Sequence, residues 1–180
     1  MVEENDNCML VKPDETMLDE IVSYRMAFLR VGQKIYGAGL LTEFEDPNDW
    51  LHHNRISEHR ETVPAGRVPS EQFVLLRKAD RKIVGMITFR HEFNDFTREY
   101  GGNIGYSVHP DERGKGYTKR MLAECLDICR AFGLSRVLIT CRPDNEASRR
   151  TILSCGGVYE KTVYCARDDV HWERYWIHLD

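Results

Sequence analysis

Residues Ile104 to Phe132 read IGYSVHPDERGKGYTKRMLAECLDICRAF. The first five residues have the composition of a strand, the middle is a basic turn with two glycines, and the end places apolar residues at helical spacing. A helix that begins after such a turn offers unpaired backbone N–H groups and a partial positive charge to an anion. We therefore expect a strand, an anion-binding turn and a helix, with a phosphorylated cofactor as the ligand.

Length and composition predict one domain over residues 1–180, because 180 residues with 42% hydrophobic content can bury one ordinary core. The net charge of −4 lacks the basic excess that nucleic acids and anionic membranes attract. No apolar run reaches the roughly 18 residues of a membrane span, and the acidic first residues lack the pattern of a signal peptide. We expect a cytoplasmic protein without nucleic-acid or membrane partners.

Apolar periodicity on both sides of this stretch predicts alternating strands and helices. The predicted strands are 8–12, 72–77, 83–90, 104–108, 136–141, 158–165 and 174–179, and the predicted helices are 14–33, 49–60, 116–132 and 145–154. The second and third strands form an antiparallel hairpin, whereas the strand–helix–strand order after residue 104 requires a parallel crossover. In the first helix, the spacing predicts a buried face of Leu18, Ile21, Val22, Met26 and Leu29.

The glycines of the turn do not match two other phosphate-binding motifs. A Walker loop requires Ser or Thr after its lysine, but Lys115 is followed by Gly116. A GxGxxG dinucleotide motif fails because no third glycine follows Gly114 and Gly116 at the required spacing. The remaining alternative is a surface turn with two solvated cations, Arg113 and Lys115. The preceding strand and the following amphipathic helix favour the anion site over it.

The turn and a second segment resemble the GNAT superfamily of acyl-CoA-dependent N-acyltransferases. Val108 to Thr118, VHPDERGKGYT, is similar to the pyrophosphate-binding pattern of that family, and Asn145 to Ser148 with the later Gly156-Gly157 resembles its second cofactor motif. The segments RHEFND, GGNIGY and RYWI resemble a branch of predicted acetyltransferases. The resemblance implies an α/β fold of the α+β type: a mixed, mostly antiparallel sheet of six to seven strands with a splayed parallel pair and about four helices.

The resemblance also implies acetyl-CoA as co-substrate, without a metal, and assigns residues to its binding. Backbone groups of Tyr106 and Val108 pair with the pantetheine arm, and the Tyr106 N–H polarises the thioester carbonyl, which makes Tyr106 a catalytic residue. Asn145 and Ser148 contact the arm or orient the leaving thiol. The pyrophosphate lies on the turn, which consists of Arg113, Gly114, Lys115, Gly116, Tyr117 and Thr118.

The proton transfers are assigned less completely than the cofactor. An amine must lose a proton before it attacks a thioester, and His91 and Glu92 follow a predicted strand beside the expected cleft. Either residue is a candidate base, and a solvated strand end is the alternative for both. Ile152 stands where many members of the family carry a tyrosine that protonates the thiolate, so the general acid is unnamed. Tyr159 and Tyr164 do not match that motif position.

Two functions fit this pattern. The first is the transfer of an acetyl group to a primary amine of a small molecule or peptide, and the second is an acyl-CoA-binding regulatory module without turnover. The acidic residues Glu43, Glu45, Asp46 and Asp49 favour a cationic acceptor. The aromatic residues Trp172, Tyr175 and Trp176 predict core packing or a homodimer contact in preference to the lining of a pocket. His52, His53 and His59 predict a solvated helix in preference to a metal site.

Overall fold

The computed structural model describes residues 7–179, and the acidic N-terminal residues 1–6 lie outside this range. All of its strands belong to one sheet with the order β1-β2-β3-β4-β5-β7-β6. The strands are β1 Cys8–Val11, β2 Ser70–Arg77, β3 Ile83–Arg90, β4 Ile104–Val108, β5 Arg136–Cys141, β6 Val158–Cys165 and β7 Val170–His178. Neighbouring strands pair antiparallel except β4 and β5, which run parallel.

Four α-helices flank the sheet within the described residues, together with short 3₁₀ and π-helical turns. The helices are α1 Leu18–Arg30, α2 Pro47–Ile56, α3 Tyr117–Phe132 and α4 Glu146–Ser154. The side chains of Asp46 and Asn145 accept backbone N–H groups at the starts of α2 and α4, which explains where those helices begin. Helix α2 begins two residues earlier than the sequence predicts and ends four residues earlier. The mixed, mostly antiparallel sheet with about four helices is confirmed.

The two faces of the sheet carry two separate hydrophobic cores. Alternate residues of β3 point to opposite faces, so Ile87 and Phe89 pack with α3, whereas Met86 packs with α1 and α2. In the α3 core, the buried side chains of that helix are Tyr117, Met121, Leu122, Cys125, Leu126 and Cys129. By the same alternation, Thr88 and Arg90, the polar residues near the end of β3, lie on the same face of the sheet as Met86.

The buried face of α1 differs from the predicted one. Met26 and Leu29 are each 53% exposed, whereas Tyr24 and Phe28 are buried with Ile21. The buried residues still follow spacings of three and four, but on a face rotated from the predicted stripe. Tyr24 can lie in the core because its hydroxyl hydrogen-bonds Ser107 Oγ of β4 at 3.0 Å. The hydrogen bond between the Tyr24 hydroxyl and Ser107 Oγ therefore allows this side of the helix to face the sheet.

The parallel pair β4 and β5 separates almost where it begins. The one register pair between these two strands is Ile104 with Ile139. Just before it, Asn103 closes the contact, because its N–H donates to Leu138 O (2.7 Å) and its Oδ1 accepts from Leu138 N (2.8 Å). Beyond Ile104 the strands diverge, which opens a gap in the sheet. Within residues 7–179, no helix is both long enough and apolar enough to span a lipid bilayer.

Candidate active site

Beta strand β4 turns the backbone groups of alternate residues into this gap. At one end Asn103 O accepts from β3 (2.7 Å), and at the other end His109 N donates to β3 (2.9 Å). Because successive residues of a strand hydrogen-bond toward opposite neighbours, residues 105 and 107 also face β3. The N–H and C=O groups of Tyr106 and Val108 therefore face the side of β5, where the pairing has ended. The gap offers donors and acceptors to an extended ligand.

The turn at the end of β4 presents backbone N–H groups in front of α3. Gly114 and Gly116 both have left-handed backbone conformations, with φ of 78° and 83°. Left-handed glycines in a turn allow successive N–H groups to point into one concave surface. A side chain at Gly114 would meet nothing within 4 Å, so the surface beside it is open. The geometry fits a phosphate group bound by Gly114, Gly116, Tyr117 and Thr118 through their backbones.

The cationic side chains of the turn are engaged with the protein. Arg113 donates to Gln33 Oε1 at 2.7 Å, and its guanidinium lies 5.7 Å from the centre of the Phe28 ring. Lys115 Nζ donates to Glu112 Oε2 at 2.8 Å. The backbone amides and the α3 N-terminus attract an anion here, and Arg113 adds its charge, because its partner Gln33 is neutral.

Glu112 anchors the turn from inside. Its side chain is 6% exposed and accepts from Arg77 (2.9 Å), Lys82 (2.8 Å) and Lys115 (2.8 Å). Burial raises the pKa of this carboxyl, but the hydrogen bonds from Lys115, Lys82 and Arg77 outweigh burial and lower the pKa to about 2. Glu112 is therefore ionised throughout the neutral range and joins the turn to the β2–β3 hairpin.

A cleft of about 700 Å³ lies where β4 and β5 separate. Tyr106, Asn145 and Ser148 line it together, as the sequence motifs predict. The Tyr106 hydroxyl and Ser148 Oγ are 2.7 Å apart, and Asn145 Oδ1 accepts from Ser148 N at 3.1 Å. Burial raises the pKa of Tyr106, so its hydroxyl remains protonated at neutral pH. Val108, at the end of β4, and the turn that follows it lie beyond the residues that line the cleft.

Comparison with known protein families identifies the family in which this combination of cleft and turn occurs. A model of the acetyltransferase (GNAT) family matches residues 32–156, which include the gap, the turn and α4. The chain belongs to the GNAT family. The curated YnaD of Bacillus subtilis, an uncharacterized N-acetyltransferase, is 25% identical to this chain over 112 residues. The matched region covers 59% of this chain and 62% of YnaD, so it spans less than two thirds of that relative.

Solved GNAT structures share the fold over nearly the whole chain. The ribosomal-protein-S5-alanine acetyltransferase of Vibrio fischeri superposes with a TM-score of 0.74 and 19% identity, covering 97% of this chain and 94% of its own. The yncA structure of Salmonella typhimurium, which contains its cofactor acetyl-CoA, gives a TM-score of 0.63 and 17% identity over 97% and 95% of the two chains. Identities this low establish the fold alone.

The structure places His91 and Glu92 away from the GNAT cleft. His91 lies on the α3 face of the sheet, stacked on Phe132 with 4.4 Å between ring centres, and its Nε2 is 3.1 Å from Glu71 Oε2. Glu92 pairs with Arg60, and both His91 and Glu92 line a separate depression. The alternation along β3 explains this position, because His91 follows Phe89 on the same face. Their role as bases stays a prediction.

Among the lining residues that the sequence did not single out as site residues are His53, Arg67 and Arg90. His53 lies on α2, and burial together with the charge of Arg67 lowers its pKa below the ordinary value of 6.5. Arg90 shares the face of Thr88, opposite to His91. Strand alternation alone gives this assignment once the register of β3 is known. The position of His53 depends on how α2 packs, which the sequence pattern does not determine.

The departures from the GNAT pattern have clear positions. Ile152 of α4 is fully buried in the hydrophobic core, so this position offers no proton donor. Tyr159 and Tyr164 are each 51% exposed on β6 and hydrogen-bond Thr162 and Asp169. Neither tyrosine lines the cleft. Within residues 7–179, His, Cys, Asp and Glu side chains form no group of three that is arranged to hold a metal ion.

Proposed function

We propose that this protein transfers an acetyl group from acetyl-CoA directly to a primary amine of a small molecule or peptide. The observation that carries the proposal is the direction of the Tyr106 and Val108 backbone groups, which face the gap beside β5. The backbone amides of the turn from Gly114 to Thr118 follow at the end of the same strand. One continuous surface therefore fits a pantetheine arm and the pyrophosphate joined to it.

The proposed chemistry needs little beyond positioning. Acetyl-CoA supplies an activated acyl group, because its thiolate is a good leaving group. The Tyr106 N–H donates to the thioester oxygen, where negative charge develops during attack. The Tyr106 hydroxyl, held 2.7 Å from Ser148 Oγ, donates a proton to the departing sulfur. The phenol is protonated at neutral pH, and at the sulfur it takes the place of the tyrosine that Ile152 excludes.

His53 is the base that the cleft favours. It lines the cleft, and its lowered pKa leaves the imidazole neutral at pH 7, as proton acceptance requires. Its ring packs on Phe44 with 5.1 Å between ring centres. His91 and Glu92, the base candidates from the sequence, line a separate depression. Variants of these two residues therefore serve as the comparison for variants of His53.

A second candidate function is binding of acyl-CoA without turnover. The observation that favours it is Ile152, which removes the usual tyrosine of the family. Both functions predict that CoA stabilises the protein, but only the enzyme releases free thiol from acetyl-CoA when an amine is present. Stabilisation by CoA without thiol release across a panel of primary amines would support the binding module. A protein that CoA does not stabilise at all would exclude both functions.

The acceptor is proposed at the level of a primary amine. The names of related structures describe different acceptors, including an alanine of ribosomal protein S5 in the Vibrio fischeri enzyme. Of the four acidic residues that favour a cationic acceptor in the sequence, Glu43 lines the cleft. We also propose a homodimer, with the exposed β6 side chains Val158, Tyr159 and Tyr164 as the contact. Size-exclusion chromatography with light scattering tests this assembly.

A further inference from the structure

Two arginines that line the cleft lack acidic partners among the described residues. Arg67 and Arg90 line the cleft, and among residues 7–179 neither has a carboxylate oxygen within 4.0 Å. The other arginines of the cleft are paired, Arg142 with Asp144 and Arg167 with Asp168. Burial, with the nearby charge of Arg67, lowers the pKa of Arg90 to about 10, which still leaves it charged at neutral pH. A bound anion would reduce both the cost of burying the Arg90 charge and its repulsion by Arg67.

The Arg90 guanidinium is fixed along one edge and open along the other. Its Nη1 donates to Gly101 O (3.3 Å) and Gly102 O (3.2 Å) at the end of the π-helical turn Thr97–Gly101. Its Nε and Nη2 have no partner among the described residues. Two parallel N–H groups on one edge of a guanidinium match the two oxygens of a carboxylate. The protein orients this edge before any ligand arrives.

The phosphates of the co-substrate cannot account for this edge. Arg90 N donates to Asn103 O, which precedes β4, whereas the phosphate-binding turn follows the other end of that strand. Four residue steps from Ile104 to Val108 separate the two ends by about 13 Å at the usual rise of a strand. The Arg90 edge is therefore at the thioester end of the surface.

We propose that Arg90, with Arg67, binds a carboxylate of the acceptor, and that the acceptor is a small amino acid. This proposal rests on acetyl transfer in the same cleft. A Cβ built on Gly105 would lie 3.8 Å from Arg90 Nη2, and Gly105 directly precedes Tyr106, whose N–H faces the thioester. The carboxylate and the reacting amine are therefore few bonds apart, which fits a free amino acid.

The test measures thiol release from acetyl-CoA with L-amino acids, their carboxamides and the matching aminophosphonates. We expect kcat/KM to be about tenfold or more higher for at least one free acid than for its carboxamide, because the amide offers no negative charge to the guanidinium. Arg90→Lys keeps the charge but loses the pair of parallel N–H groups, so we expect the KM for the acid to rise and the preference for the acid over its carboxamide to fall. Arg67→Gln, at an exposed position, changes the KM in the same direction.

The controls separate this inference from the acetyl transfer on which it depends. Arg130→Gln, on the exposed side of α3, should leave all substrates and the thermal stabilisation by CoA unchanged. Carboxamides that react as fast as the free acids would overturn the carboxylate site while acetyl transfer stands. A preference for aminophosphonates, or no reaction of any amino acid with a protein that CoA stabilises, would also overturn it. Absence of CoA binding would instead overturn the proposed function itself.

Discussion

The loop after α1 packs flat against the peptide bond that precedes the proposed oxyanion donor, and Gly37→Ala tests this contact. A Cβ built on Gly37 would overlap the Gly105 carbonyl and the Tyr106 nitrogen, well inside the 3.0 Å that real Cβ contacts keep. Both are backbone atoms in the sheet and cannot move aside cheaply. The residue also has a φ of 64°. Left-handed backbone costs an alanine about 1–2 kcal/mol, and overpacking costs about 1–3 kcal/mol more.

Gly32→Ala is the matched control for this prediction. Gly32 has a φ of 62°, and a Cβ there meets nothing within 4 Å, so its substitution includes the backbone cost without the overlap. Urea or thermal unfolding should show Gly37→Ala to be less stable than Gly32→Ala by about 2 kcal/mol, or roughly 4–8 °C in Tm. Equal destabilisation by the two substitutions would refute the contact between this loop and β4.

The remaining predictions concern the anchor of the turn and the proton transfers. Glu112→Gln should cost about 2–3 kcal/mol near pH 7, because three cations lose their carboxylate. Since the folded pKa of about 2 lies below the ordinary 4.5, the stabilisation is complete above pH 4.5 and is lost as the pH falls toward 2; unfolding from pH 7 to 2 should show a flatter profile for the variant, and parallel profiles would argue against the ion pairs. His53→Gln should lower thiol release about a hundredfold and remove a rise with pH that is centred below 6.5, whereas a larger loss in Glu92→Gln would assign the base to Glu92. Tyr106→Phe keeps the backbone N–H and should lower turnover by about tenfold or more with an unchanged Kd for CoA; full activity would remove the hydroxyl as proton donor.

The sequence predicts the elements of this fold better than it predicts which side chains share the cleft. The stretch from Ile104 to Phe132 folds as expected, because glycines at both ends of α3 mark its limits and its apolar face is continuous. The predicted buried face of α1 was right at Ile21 and wrong at Met26 and Leu29. Tyr24 is buried in their place, and its hydrogen-bond partner Ser107 is distant in sequence. Such long-range partners are invisible to a periodic pattern.

The candidate site shows the same division. The sequence predicts Tyr106, Asn145 and Ser148 because each belongs to a local motif, and in the structure Ser148 Oγ of α4 lies 2.7 Å from the Tyr106 hydroxyl. Their roles in binding stay predictions. His91 was expected beside the cleft from its position after a strand, but a step of one residue along β3 moves a side chain to the opposite face. Arg90, the preceding residue, lines the cleft instead. The assignment needed the register of β3, which the turn sequence alone does not supply.

The central claim is that the gap beside β4 and the turn before α3 bind one CoA molecule, and calorimetric titration with CoA tests it most directly. Gly114→Trp fills the open surface of the turn, whereas Gly133→Trp introduces the same side chain at the other end of α3, also at a left-handed glycine with nothing within 4 Å. We predict that Gly114→Trp weakens binding by about tenfold or more and that Gly133→Trp binds like the unmodified protein. Equal affinity of both variants and the unmodified protein would contradict the claim.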